Sequence, residues 1–149
     1  MNDNYIELYT ENEELKFDRR LARDVAFKYV FAWQYGCDEE FEQIKNLAHM
    51  QFRGRDKEYI EKAFLGVKNN LEKFDAIISE NTKGWAKERL SKVCLAALRL
   101  GLCEMVCFDD IPAAVTINEI IEIIKKYDSP ETGSFANGIL GNIQKNLGE

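Results

Sequence analysis

The chain has 149 residues, of which 46% are hydrophobic, and a formal net charge of −6, the size of one compact domain with enough apolar side chains for a real core. The negative balance excludes a protein that coats nucleic acid indiscriminately, since such binding needs a dominant basic field. No apolar run approaches the roughly 20 residues that span a bilayer, and the opening MNDNYIELYTENEELK has neither the basic start nor the apolar segment of an export signal. A soluble, cytoplasmic chain without membrane attachment is expected. The four cysteines, Cys37, Cys94, Cys103 and Cys107, form no CxxC motif, and His49 is the single histidine, so neither a disulfide framework nor a zinc site is encoded and no metal or cofactor is expected.

The elements follow in chain order. Residues 1–16 set Asp3, Glu7, Glu11, Glu13 and Glu14 against Lys16, a net −4; such a segment is expected to be mobile or loosely docked. The next stretch, DRRLARDVAF, reverses the sign and crowds Arg19, Arg20 and Arg23 into the first turns of a helix spanning about 18–35. Arginine is mildly unfavourable at that end of the macrodipole, by roughly 0.3 kcal/mol or more. Asp18 is the expected N-cap and Gly36 the expected stop. Leu21, Ala22, Val25, Ala26, Tyr29, Val30 and Trp33 form one apolar stripe at helical spacing, with Arg20, Arg23, Phe27, Phe31 and Gln34 opposite.

A second helix is expected over about 39–50, ended by FRGRD. The third is expected as one long helix over about 56–80, because Tyr59, Ala63, Val67, Leu71, Phe74 and Ile78 recur every three or four residues. The segment ERLSKVCLAALRLGLCEMVCF is apolar nearly all round, the mark of a helix enclosed by its neighbours. Arg99 and Glu104 are its polar exceptions, expected as a structural pair or as separate capping interactions. After DDIP, Thr116 and Glu119 have capping-box spacing, with Ile117, Ile120, Ile121, Ile124 and Tyr127 as the buried stripe. Ser129 and Pro130 open the last helix as N-cap and first helical residue. The fold class is all-α, with two packed three-helix-type subdomains at about 17–82 and 85–149 and a break near Lys83-Gly84-Trp85.

Four segments, RRLARDVAFKYVFAWQ, GWAKERLSKVCLAALRLGLCEM, DIPAAVTINEIIEIIKKY and SFANGIL, stand in the order and at separations similar to those of the NusB family of transcription antitermination factors, and the chain resembles that family from about residue 18 to residue 147. The resemblance implies a NusB-like helical domain over 17–149 that binds the boxA element of nascent ribosomal RNA together with NusE, a small-subunit ribosomal protein. It also implies that the protein acts within an RNA polymerase antitermination complex and catalyses nothing. Monomer and homodimer both fit. Two places depart from the family pattern: Cys94 and Leu95 stand where an acidic and a basic residue are usual, and Ser134 where some members carry a basic one.

By that resemblance Arg19, Arg20, Arg23 and Lys28 face RNA, with Phe135 and Asn137 contributing from the last helix. Guanidinium groups match phosphate oxygens bidentately, and the free N–H groups of a helix start favour anions. The bland alternative is a solvated helix end with pairs to Asp18 and Asp24. Phe27 and Phe31 suit stacking on unpaired bases, although Phe31 reads first as core. Phe135 and Asn137 serve equally well in packing. Asn118, Glu119 and Glu122 are candidates for a protein partner, with Glu119 also a capping residue. A di-iron bundle needs Glu-x-x-His pairs, which one histidine excludes, and no nucleotide loop or nucleophile motif occurs. The alternative function is a helical module that binds only proteins. The acidic extension at 1–16 is either a weak electrostatic competitor of RNA or an extra ordered turn packing Tyr5, Leu8 and Tyr9.

Overall fold

The computed structural model describes residues 18–82 and 90–148, with the backbone alone for 47–51. The acidic extension and the expected break at Lys83-Gly84-Trp85 lie outside the described residues. Among those residues the chain is all-α, with seven helices and no strand: α1 (Arg19–Gln34), α2 (Asp38–Gln51), α3 (Gly54–Asn69), α4 (Leu71–Glu80), α5 (Lys92–Cys107), α6 (Ala113–Tyr127) and α7 (Pro130–Asn146). None of these helices is long and apolar enough to cross a membrane. The chain clusters into two compact units, residues 1–64 and 65–149.

In the first unit α1 packs against α2. Asp18 caps α1 as expected, its side chain accepting from the Leu21 N–H at 2.9 Å. Gly36, with φ of 68°, takes the left-handed conformation that lets the chain leave the helix and turn into α2. The apolar stripe is only partly as the spacing predicts: Ala22, Val25, Ala26, Tyr29 and Val30 are buried, but Leu21 is exposed and Phe27, from the opposite side, is buried. Tyr29 stacks on Phe41 with centroids 4.7 Å apart and tilts against Phe64 at 4.0 Å. Trp33 meets Phe64 edge-on at 5.8 Å. Such aromatic pairs add about 0.5–1.5 kcal/mol each beyond their buried area.

The single helix expected over 56–80 is two. Asn70 interrupts it: its side-chain Nδ2 donates to the Gly66 carbonyl at 2.8 Å, and its own carbonyl accepts the first amide bond of α4, from Phe74 at 2.9 Å. Asparagine competes with helical bonding in this way. One interrupted residue leaves the stripe in phase, so Val67, Phe74 and Ile78 are all buried and periodicity conceals the break.

The second unit is built round α5, which packs against α4, α6 and α7 and is buried at every residue from 96 to 105. Arg99 and Glu104 each reach a neighbouring helix. Arg99 reaches Asp75 on α4 through Nε and Nη2, both at 2.8 Å, and Glu104 accepts from the Thr116 hydroxyl at 2.8 Å. The capping box at Thr116 and Glu119 is not formed, because α6 begins three residues earlier. The Pro112 carbonyl accepts the Val115 and Thr116 amides at 3.0 and 3.2 Å, and proline's fixed φ presets a helix start, which leaves Thr116 one turn inside and buried. Ser129 does cap α7, accepting from the Thr132 N–H at 3.1 Å. Ser91 ties the start of α5 to the α6–α7 junction by accepting from the Cys94 N–H and donating to Asp128.

Candidate nucleic-acid interface

The basic end of α1 is supported by α3. Asp56, in the first turn of α3, sends Oδ2 to the Asp18 backbone N–H at 2.9 Å and holds Oδ1 3.6 Å from Arg19 Nε. One turn on, Tyr59 lies beneath both neighbouring arginines, with the guanidinium carbon of Arg19 4.5 Å and that of Arg23 5.8 Å from its ring centroid. Cation–π contacts of this kind are worth roughly 0.5–2 kcal/mol, more when desolvated.

The four basic residues expected to face RNA therefore divide. Arg20 and Lys28 are exposed, and Lys28 reaches Asp24 one turn back at 3.2 Å. Arg19 is partly covered, with 27% of its side chain accessible. Arg23 is only 3% accessible and is part of the packing round Tyr59, so the charge presented to solvent comes from Arg19, Arg20 and Lys28. Phe27 is buried and unavailable for stacking on a base. Phe31 is half-buried, its ring 6.0 Å from Phe27 and 5.0 Å from Tyr35.

In the second unit, Phe135 and Asn137 are exposed on α7. Phe135 lines a shallow cleft of about 290 Å³ with Ser134, Gly138, Asn142, Asn81 and Thr82. Asn81 in that lining accepts from the Asn146 side chain, Oδ1 to Nδ2, at 2.7 Å. Asn137 turns to a second cleft of about 450 Å³ between α6 and α7, shared with Asn118, Glu122, Ser134 and Gln144. Residues assigned from sequence to two different partners, Asn137 to RNA and Asn118 with Glu122 to protein, thus line one surface. Glu119 is half-buried beside them in sequence and does not line that cleft. Both clefts are open and mixed in polarity, suited to hydrogen bonding with a macromolecular surface.

Sequence reasoning missed Asp56 and Tyr59, because their partners on α1 lie about 38 residues away and nothing local marks the pairing. It also missed Asn142, whose only signal is the i, i+7 spacing from Phe135 on one helix face. Among the described residues no three His, Cys, Asp or Glu side chains cluster as metal ligands would. The buried Cys94 thiol is pushed up to about 12 by burial and by the nearby Asp128 carboxylate, which disfavours a reactive thiolate.

The family model described as "NusB family" matches residues 20–145. The transcription antitermination protein NusB of Acetivibrio thermocellus is 44% identical over 128 residues, covering 85% of this chain and 88% of its relative. Among solved structures, T. maritima NusB aligns with a TM-score of 0.76 and 38% identity, covering 87% of this chain and 92% of that one. A chain in the crystal structure of antitermination factors NusB and NusE in complex with dsRNA aligns with a TM-score of 0.74 and 28% identity, covering 86% and 96%. With the helical architecture and four sequence segments already in agreement, this chain belongs to the NusB family.

Proposed function

We propose that this protein is a non-catalytic transcription antitermination factor that binds the boxA element of nascent ribosomal RNA together with NusE. The relative named for transcription antitermination matches across 85% of the chain, and that observation carries the proposal. A structural relative bound to NusE and double-stranded RNA supports both partners. The residues fit the task. Arg19, Arg20 and Lys28 offer a small cluster of phosphate-binding groups that positions RNA without reading its sequence. Phe135 and the amides of Asn137 and Asn142 supply stacking and hydrogen-bonding groups for unpaired bases. Asn118, Glu119 and Glu122 on α6 are the protein-facing set for NusE. Overall charge is negative, so electrostatics alone gives weak binding and a partner is needed to raise it.

A module that binds only proteins is the second reading, favoured by the carboxylates that compensate this cluster, Asp56 at Arg19 and Asp24 at Lys28. RNA titration of the wild-type chain and of the charge reversal Arg20→Glu with Lys28→Glu separates the two. Loss of RNA affinity, with a salt slope lower by about 0.7 per lost phosphate contact, supports RNA binding. Unchanged affinity and slope with intact helicity place the RNA contact away from Arg20 and Lys28, and no RNA binding by the wild-type chain with or without NusE leaves the protein-only module.

A further inference from the structure

Asp56 is an acid sealed beneath the basic cluster, 3% accessible, where by charge alone it opposes any phosphate above it. A buried carboxylate is costly unless paired, and here both of its partners belong to the start of α1: the Asp18 amide at 2.9 Å and the Arg19 Nε edge at 3.6 Å. Tyr59, 2% accessible and three residues further along the same face of α3, supports the guanidinium plane of Arg19 from beneath. Arg19 thus meets two buried groups, a carboxylate at its Nε edge at ion-pair distance, with neither Nε nor Oδ1 hydrogen-bonded, and a ring against its face, while about a quarter of it still reaches solvent. An arginine free in solution loses up to about 2 kcal/mol of side-chain entropy when it is ordered; one already clamped to a scaffold loses less on meeting its ligand.

We propose that Asp56 and Tyr59 are positioning residues for RNA binding: they fix Arg19 and the first turn of α1 in the orientation that RNA meets. The proposal rests on the RNA-binding function above. It makes a prediction opposite to simple electrostatics. If Asp56 only neutralised Arg19, removing its charge would strengthen RNA binding; as a clamp, removing it weakens binding, and only through Arg19.

The test is a double-mutant cycle on affinity for a labelled single-stranded boxA-like RNA, using the full chain with wild type, Asp56→Asn, Arg19→Ala and the double variant. Melting temperature and helicity are recorded for each. The clamp predicts that Asp56→Asn weakens binding about fivefold in the wild-type background and by less than about twofold when Arg19 is already alanine, a coupling within the usual range for residues in contact. An equal loss in both backgrounds assigns Asp56 a purely structural role and overturns the proposal. Tighter binding by Asp56→Asn, or no change, overturns it as well. Tyr59→Leu, which keeps apolar bulk and removes the ring face, supplies an independent cycle with Arg19→Ala should Asp56→Asn fail to fold, and the same coupling is expected. If wild type binds RNA and Arg20→Glu with Lys28→Glu weakens it, the RNA function stands whatever the cycle gives; absence of RNA binding by wild type removes both.

Discussion

Asp75 on α4 receives the Arg99 guanidinium of α5 in a two-pronged contact, Nε and Nη2 each 2.8 Å from a separate carboxylate oxygen. Both side chains are about nine-tenths buried. Charges this deep are tolerated because each satisfies the other, and a lone survivor is strongly destabilising. Asp75→Asn or Arg99→Met alone should lower unfolding stability by about 3–5 kcal/mol. The joint change Asp75→Leu with Arg99→Met should recover most of that loss. Chemical denaturation reads both, and a joint variant as unstable as either single one would show that the pair is not the unit of stability.

The hydroxyl of Thr116 donates to Glu104 inside the second unit. Thr116→Val keeps the shape and removes the donor, so stability should fall by about 1–3 kcal/mol with the helicity of α6 retained. Loss of amide protection confined to the first turn of α6, with global stability unchanged, would instead mark Thr116 as the helix cap.

How far sequence carried is visible at these two positions. Arg99 and Glu104 stand out as polar residues in an apolar helix, yet their partners, Asp75 and Thr116, come from other helices whose approach no local pattern encodes. Element type was legible almost everywhere, since the helical period is strong and Asp18, Gly36, Ser129 and Pro130 punctuate it with caps and stops. The break at Asn70 was not, because it keeps the apolar stripe in phase. The basic cluster was legible as composition. That Arg23 would be buried against Tyr59 was not, since spacing fixes a helix face but not how many neighbours cover it.

Gly66 marks a close approach within the second unit: a Cβ built there collides with the Sγ of the buried Cys103. Gly66→Ala should therefore destabilise by about 1–3 kcal/mol through overpacking. Adding Cys103→Ala to the same chain should return part of that stability. Thermal melts of the two variants check the relation, and no recovery in the double variant would place the strain elsewhere.

Stability should fall at alkaline pH partly through Cys94. Its thiol titrates near 9 when unfolded and is pushed up to about 12 in the fold, chiefly by burial. Between those values the unfolded state binds fewer protons than the native one, so stability is full below pH 9 and declines as pH rises from about 9 towards 12. Tyr29, also raised by burial, adds to the decline from about pH 10. Cys94→Ala should flatten the slope of denaturation midpoint against pH between 9 and 10. An identical slope in wild type and variant would remove Cys94 as a contributor.

The central claim, that an acidic chain with a small basic cluster binds boxA RNA as half of a pair, is tested most directly by titrating labelled boxA-like RNA with this protein alone and with NusE present. The account predicts weak binding alone and affinity at least about tenfold higher with NusE, within the ordinary range of coupling between two ligands. Equal affinity with and without NusE would contradict it.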